Sequence, residues 1–214
     1  MNHPVDSNPS DWNWLKDTYW YVPPGSLPAL QMDDDTLSWV IDQTVWHITG
    51  YRDGYFWGVS ATLIRRQGEQ DTPKGRGPGP VCFSMFGSIT PEAQIHLTFI
   101  VQRKMSSSPP TIGIGRAIQH QAVDHQGLPH QDGWSLEMQM SSGDRTQTAH
   151  WASMTRVRPG DPAWETLPGV DLSVPEMLGN CKPPDTTERS QSPIQPDTTE
   201  RSQSPIQPGG PQQG

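Results

Sequence analysis

Seven short stretches of alternating polarity between residues 44 and 156, turn signals between them and almost no helical periodicity predict an all-β fold. The form predicted is an antiparallel up-and-down β-barrel of about 7–8 strands, with a short N-terminal helix and a disordered C-terminal tail. Sequential antiparallel strands either split into a sandwich or curl until their edges meet, and hairpin-length or modest connections favour the closed meander. Gly58, Gly87, Gly113 and Gly115 sit inside strand patterns, as a sheet that bends sharply to close requires.

The elements follow in order. In "SDWNWLKDTYWYVPP" Ser10 is an N-cap, and Trp12, Leu15 and Tyr19 fall at helical spacing before Pro23 and Pro24 end the run. This predicts a helix that lays Trp12 and Leu15 on the body. "QMDDDTLS" reads as a solvated acidic loop, because neighbouring aspartates do not converge on a cation without a dedicated loop. Residues 44–52 put Trp46 and Ile48 on one face and Val45, His47 and Tyr51 on the other. Asp53-Gly54 then closes a hairpin, since a type I′ turn needs positive φ at both central positions.

Strand 55–64 gathers Tyr55, Trp57, Val59, Ala61 and Leu63 against a small, polar face of Phe56, Gly58, Ser60, Thr62 and Ile64. Farther on, Val81, Phe83, Met85 and Ile89 share a face, as do Ile95, Leu97, Phe99 and Val101, with His96 opposite. Next come Ile112, Ile114 and Ile118 against Thr111, Gly113 and Gly115, then Trp134, Leu136, Met138 and Met140 against Ser135, Glu137 and Gln139. "TQTAHWASMTR" ends the series with less sorted faces. "TYWYV" or residues near Trp39 supply a further strand.

Composition sets three segments: a flexible N-terminus over 1–10, a barrel domain over 11–178 and a tail over 179–214. The tail repeats "PDTTERSQSPIQ" from Pro184 and again from Pro196. Such a polar, Pro-rich segment buries too little apolar surface to offset chain entropy. A net charge of -8 and scattered Lys and Arg argue against a nucleic-acid surface. No apolar run approaches the roughly 18 to 20 residues that cross a bilayer. No secretory signal is visible in "MNHPVDSNPSDWNW", and Cys82 and Cys181, the latter in the tail, make no disulfide framework, so a cytoplasmic protein is expected.

A short helix followed by consecutive aromatic-rich hairpins over roughly residues 11–156 resembles the lipocalin-like, or calycin, barrels. The resemblance is architectural; the Gly-x-Trp signature of that family is missing, "GYFW" at 54–57 and "GW" at 133–134 having a different spacing. The resemblance implies a cup that takes an apolar or aromatic small molecule through one open end. A minority of such barrels are enzymes that isomerise, cyclise or decarboxylate such molecules.

The ring-bearing faces nominate Trp46, Trp57, Phe83, Met85, Leu97, Phe99, Trp134 and Met138 as ligand-binding residues. Arg116 joins them as a polar anchor, since a guanidinium on an apolar face needs a carboxylate or an anion. Catalytic candidates are His47, His96, His150 and Glu137, a histidine serving as proton carrier in a lyase or isomerase. His120, His125 and His130 lie in a loop whose spacing fits no metal motif, so neither metal nor cofactor is expected. The partner expected is a small hydrophobic or aromatic ligand, with no membrane and no nucleic acid. A third reading, a protein-interaction module, requires an apolar patch outside the barrel.

Overall fold

The computed structural model describes residues 9–66, 79–102, 109–120, 133–143 and 146–185. His125, His130 and all but the first two residues of the repeats lie outside them. Among the described residues nine strands form one antiparallel sheet that closes on itself. They are β1 (Thr18–Tyr21), β2 (Pro28–Asp33), β3 (Thr36–Arg52), β4 (Tyr55–Arg66), β5 (Val81–Ile89), β6 (Gln94–Val101), β7 (Thr111–Gln119), β8 (Trp134–Gly143) and β9 (Thr146–Val157).

Strands β3 to β9 pair in chain order, and β1 and β2 both lie between β3 and β9. Two short strands therefore share one place, and the barrel has eight. Pro23 and Pro24 separate them through a 3-10 turn, Pro24–Ser26, because proline has no N–H to give the ladder. The break leaves Val22 without a strand partner, and Gln43 supplies one: its Oε1 accepts from the Val22 N–H (3.1 Å) and its Nε2 donates to the Val22 carbonyl (3.0 Å).

The predicted N-terminal α-helix is a 3-10 helix, Pro9–Leu15. Asp17, at φ 59°, turns the chain and donates its N–H to the Ile48 carbonyl (2.8 Å), so Tyr19 joins β1 rather than a helical face. Ladder bonds on both sides of β1 outweigh a weak helical propensity. Trp12 and Leu15 are buried, as their spacing predicts. The acidic stretch is a hairpin tip, not a loop: Gln31–Asp33 end β2, Asp34 takes φ 48° and β3 starts at Thr36. Asp53 (φ 50°) and Gly54 (φ 85°) make the predicted two-residue turn.

Two strands face the opposite way from the hydrophobic reading. The registers Trp46↔Ser60 and Ser60↔Phe83 turn Phe56, Gly58, Ser60 and Thr62 of β4 inward and Tyr55, Trp57, Val59, Ala61 and Leu63 outward. Ala61 and Leu63 are apolar because the C-terminal segment covers them: Val45, Ala61, Leu63 and Val157 form a second core with Leu167, Val170, Val174 and Met177. Two short helices, α1 (Pro162–Glu165) and α2 (Val174–Leu178), carry that segment, and a Ser173–Glu176 capping box starts the second. Pro168 accepts from Gln43 Nε2 (2.8 Å), tying the segment to β3.

On β7, Gly113, Gly115 and Ala117 face inward and Ile112 and Ile114 outward. A Cβ on Gly115 would lie 2.5 Å from Met138 Sδ, so the small face of β7 makes room for large side chains on β8. A bulge between Ile48 and Gly50 moves Tyr51 from the outer face of β3 into the core.

Cys82 and Cys181 form a disulfide, contrary to the sequence expectation. It pins the covering segment to β5, and Gln102 reinforces it by donating to the Lys182 carbonyl (2.7 Å) and accepting from the Lys182 N–H (2.9 Å). The first compact unit of the chain ends at Pro184. Such bonds persist in oxidising surroundings, which weighs against the cytoplasmic expectation. Among the described residues no helix is long and apolar enough to cross a membrane.

Candidate ligand-binding cup

The barrel interior has two halves. At the end where the 3-10 helix enters, the space is filled. Trp12 meets Trp134 edge-on (5.3 Å between centroids), and Trp14 lies 5.5 Å from Trp134 and 6.1 Å from Trp20. Below this plug Trp46, Ile48, Met85, Leu97 and Met138 are fully packed. Toward the other end the side chains shorten, and a cavity of about 280 Å³ opens.

One wall of the cavity is apolar, formed by Val81, Phe83, Phe99 and Met140, and the facing wall is polar, formed by Asp42, Thr44, Ser60, Thr62, Thr148 and His150. The polar wall follows from strand alternation: Asp42 and Thr44 share parity with Trp46 on β3, and His150 shares parity with Ala152 and Met154 on β9. Asp42 and His150 are almost wholly buried and adjacent, His150 Nδ1 lying 3.0 Å from Asp42 Oδ2. The contact is set off the straight line of a hydrogen bond and is an ion pair when the ring is protonated. His150 Nε2 is 2.7 Å from the Ser26 carbonyl, in the turn that splits β1 from β2.

Both ring nitrogens thus face oxygen acceptors, an arrangement that suits the doubly protonated ring. Burial alone would disfavour that charge; contact with Asp42, its negative charge and the Ser26 carbonyl outweigh burial and raise the His150 pKa above its ordinary value. Thr44 Oγ1 donates to Asp42 Oδ1 (3.0 Å) and lies 2.9 Å from Thr62 Oγ1. A continuous polar chain therefore runs from the Ser26 carbonyl through His150, Asp42 and Thr44 to Thr62.

Of the ligand-binding residues nominated from sequence, Phe83 and Phe99 line the cavity. Trp46, Met85, Leu97 and Met138 lie in the packed half beneath it, and Trp134 belongs to the plug. Trp57 lies on the outer wall over Gly50, where a Cβ would come within 2.3 Å of the indole. Arg116 is also outside, and its partner is Glu137, the other polar candidate (Nη2 to Oε2, 3.2 Å).

The three strand histidines do not converge. His150 points inward, while His96 is exposed on the outer wall of β6. His47 stacks on Tyr19 outside the barrel (4.0 Å, 14°), where burial lowers its pKa against a smaller opposing effect of Asp17. His120 lies 2.6 Å from Ser135 Oγ, away from the cavity-lining residues. Among the described residues no three metal-ligating side chains gather.

Sequence reasoning missed Asp42, Thr44, Thr62 and Thr148. The signal was present for the first two: extending the parity of Trp46 and Ile48 backward along β3 puts both on the inner face. No protein-family model, no curated protein and no solved structure matches this chain. The architecture, a closed eight-stranded antiparallel barrel, is compatible with the calycin form.

Proposed function

We propose that this protein is a lipocalin-like binder that takes a small apolar or aromatic molecule into the cup. The supporting observation is the asymmetry of the lumen: one end is stoppered by indoles, while the other holds a cavity of about 280 Å³ with Phe83 and Phe99 on its wall. Burial of ligand surface supplies affinity at about 25 cal/mol per Å², and the polar wall fixes orientation. His150 serves as a structural and orienting group rather than a proton carrier, because Asp42 and the Ser26 carbonyl occupy both of its nitrogens. The disulfide favours an oxidising compartment as the place of action.

Titration with an uncharged fluorescent apolar probe tests the reading. One saturable site is expected, lost in Val81→Trp, which fills the cavity. Absence of saturable binding, or binding untouched by that substitution, overturns it.

A second reading rests on the outer wall, where Leu37, Trp39, Ile112, Ile114 and Trp151 are exposed. Leu30, paired to Trp39, and Ala149, paired to Leu30, connect this strip across the sheet. Such a surface suits contact between copies of the chain. Sedimentation that reports a monomer at all concentrations, unchanged by Trp39→Glu, rules this out.

A further inference from the structure

The proton inventory of the polar wall specifies the ligand headgroup. We infer that the cup selects apolar molecules carrying a hydroxyl or amino donor and rejects those carrying a carboxylate or other anion. The inference rests on the reading of the cavity as a ligand cup and deepens it.

The protons can be followed along the chain of contacts. His150 Nε2 donates to the Ser26 carbonyl (2.7 Å), and Nδ1 lies 3.0 Å from Asp42 Oδ2 without completing a hydrogen bond. Thr44 has a single hydroxyl proton, and Asp42 Oδ1 takes it at 3.0 Å. The 2.9 Å contact between Thr44 and Thr62 must then be made by the proton of Thr62. After these assignments Asp42, Thr44 and Thr62 offer lone pairs and no proton. Ser60 and Thr111 hold hydroxyls that can turn to either role, and Thr148, which accepts from Gln31 Nε2 (3.3 Å), keeps its own proton.

The charge inventory agrees. Among the described residues lining the cavity, Asp42 and His150 are the ionisable groups, and no Lys or Arg joins them. The ring nitrogens of His150 lie against the Ser26 carbonyl and Asp42. An anionic headgroup would therefore lose its water beside a carboxylate with no Lys or Arg among the described lining residues to meet it, which is costly in a buried site. A hydroxyl or amino group instead donates to Asp42 or Thr62. The indole N–H of Trp46, which has no hydrogen-bond partner among the described residues, is sealed from solvent and does not line the cavity.

Calorimetry on the full chain with three ligands that share one ring tests this: 2-naphthaleneethanol, 2-naphthylethylamine and 2-naphthylacetate. The alcohol and the amine are expected to bind at least about tenfold more tightly than the acid, and Asp42→Asn and Thr62→Val are each expected to narrow that gap. Two variants are used because either could perturb folding, which circular dichroism checks. If the acid binds as tightly as the alcohol, the headgroup inference fails while the cup stands. If none of the three binds and an uncharged apolar probe also fails, the cup itself is overturned.

Discussion

The two ends of the barrel are built from the same alternating strands, yet one is solid and the other hollow. At the filled end the inward residues are long, and the 3-10 helix adds Trp12, Trp14 and Leu15 as a second layer. At the hollow end the inward residues of β3 and β4 shrink to Asp42, Thr44, Ser60 and Thr62, with no comparable layer among the described residues. The difference teaches that strand alternation decides only which side chains enter the lumen. Whether they fill it depends on their volume and on what closes the end.

Substitutions at the two ends should separate stability from binding. The largest loss is expected at the plug: Trp20→Ala, at a fully buried site, should cost about 4 kcal/mol in urea unfolding. Equal stability in wild type and variant would show that the plug is not the packed core described. Somewhat less, about 3 kcal/mol, is expected for Asp42→Ala, which leaves the buried His150 without its counter-ion.

The same pair predicts a pH dependence. Because the folded pKa of His150 is raised above its unfolded value near 6.5, its stabilising contribution is complete below that value. The contribution is lost as pH rises through the folded pKa. Asp42 is the other titratable group facing it among the cavity-lining residues. Urea midpoints at about pH 6 and about pH 9 should therefore fall more in wild type than in His150→Gln; parallel changes would show that the ring is not held charged.

Removing the disulfide by the double change Cys82→Ser and Cys181→Ser should cost about 2–4 kcal/mol, measured by thermal unfolding with and without reductant. Insensitivity of the wild type to reductant would show that the strap holds without the bond. The smallest effect belongs to the hollow end. Thr62→Val removes one hydroxyl beside Thr44 and should change stability by about 1 kcal/mol or less while weakening a hydroxyl ligand. A larger stability loss there would mean that the polar wall is part of the folding core.

Much of the fold was legible in the chain. Period-two alternation located the seven strands from β3 to β9, and Asp53-Gly54 marked its hairpin, because both signals are local. β2 escaped notice because Pro28 and its acidic tip resemble a loop, and its pairing with both β3 and β9 is settled only in space. The site was less legible. Of the residues nominated from the apolar faces, Phe83 and Phe99 lie on the cavity wall, whereas Trp57 and Arg116 lie on the outer face.

That split has a physical cause. An apolar strand face is directed toward any dry neighbour, and this barrel has dry neighbours both inside its lumen and beneath its C-terminal segment. Sequence alone determined the strands from β3 to β9, the Asp53-Gly54 turn and, Tyr51 excepted, the two sets of side chains on each. Tertiary structure decided which set faced inward, which cysteine met which strand, and that an aspartate and a histidine separated by about half of the chain would meet in one cavity. Those outcomes depend on register and closure, and both are set by contacts between residues far apart in the chain.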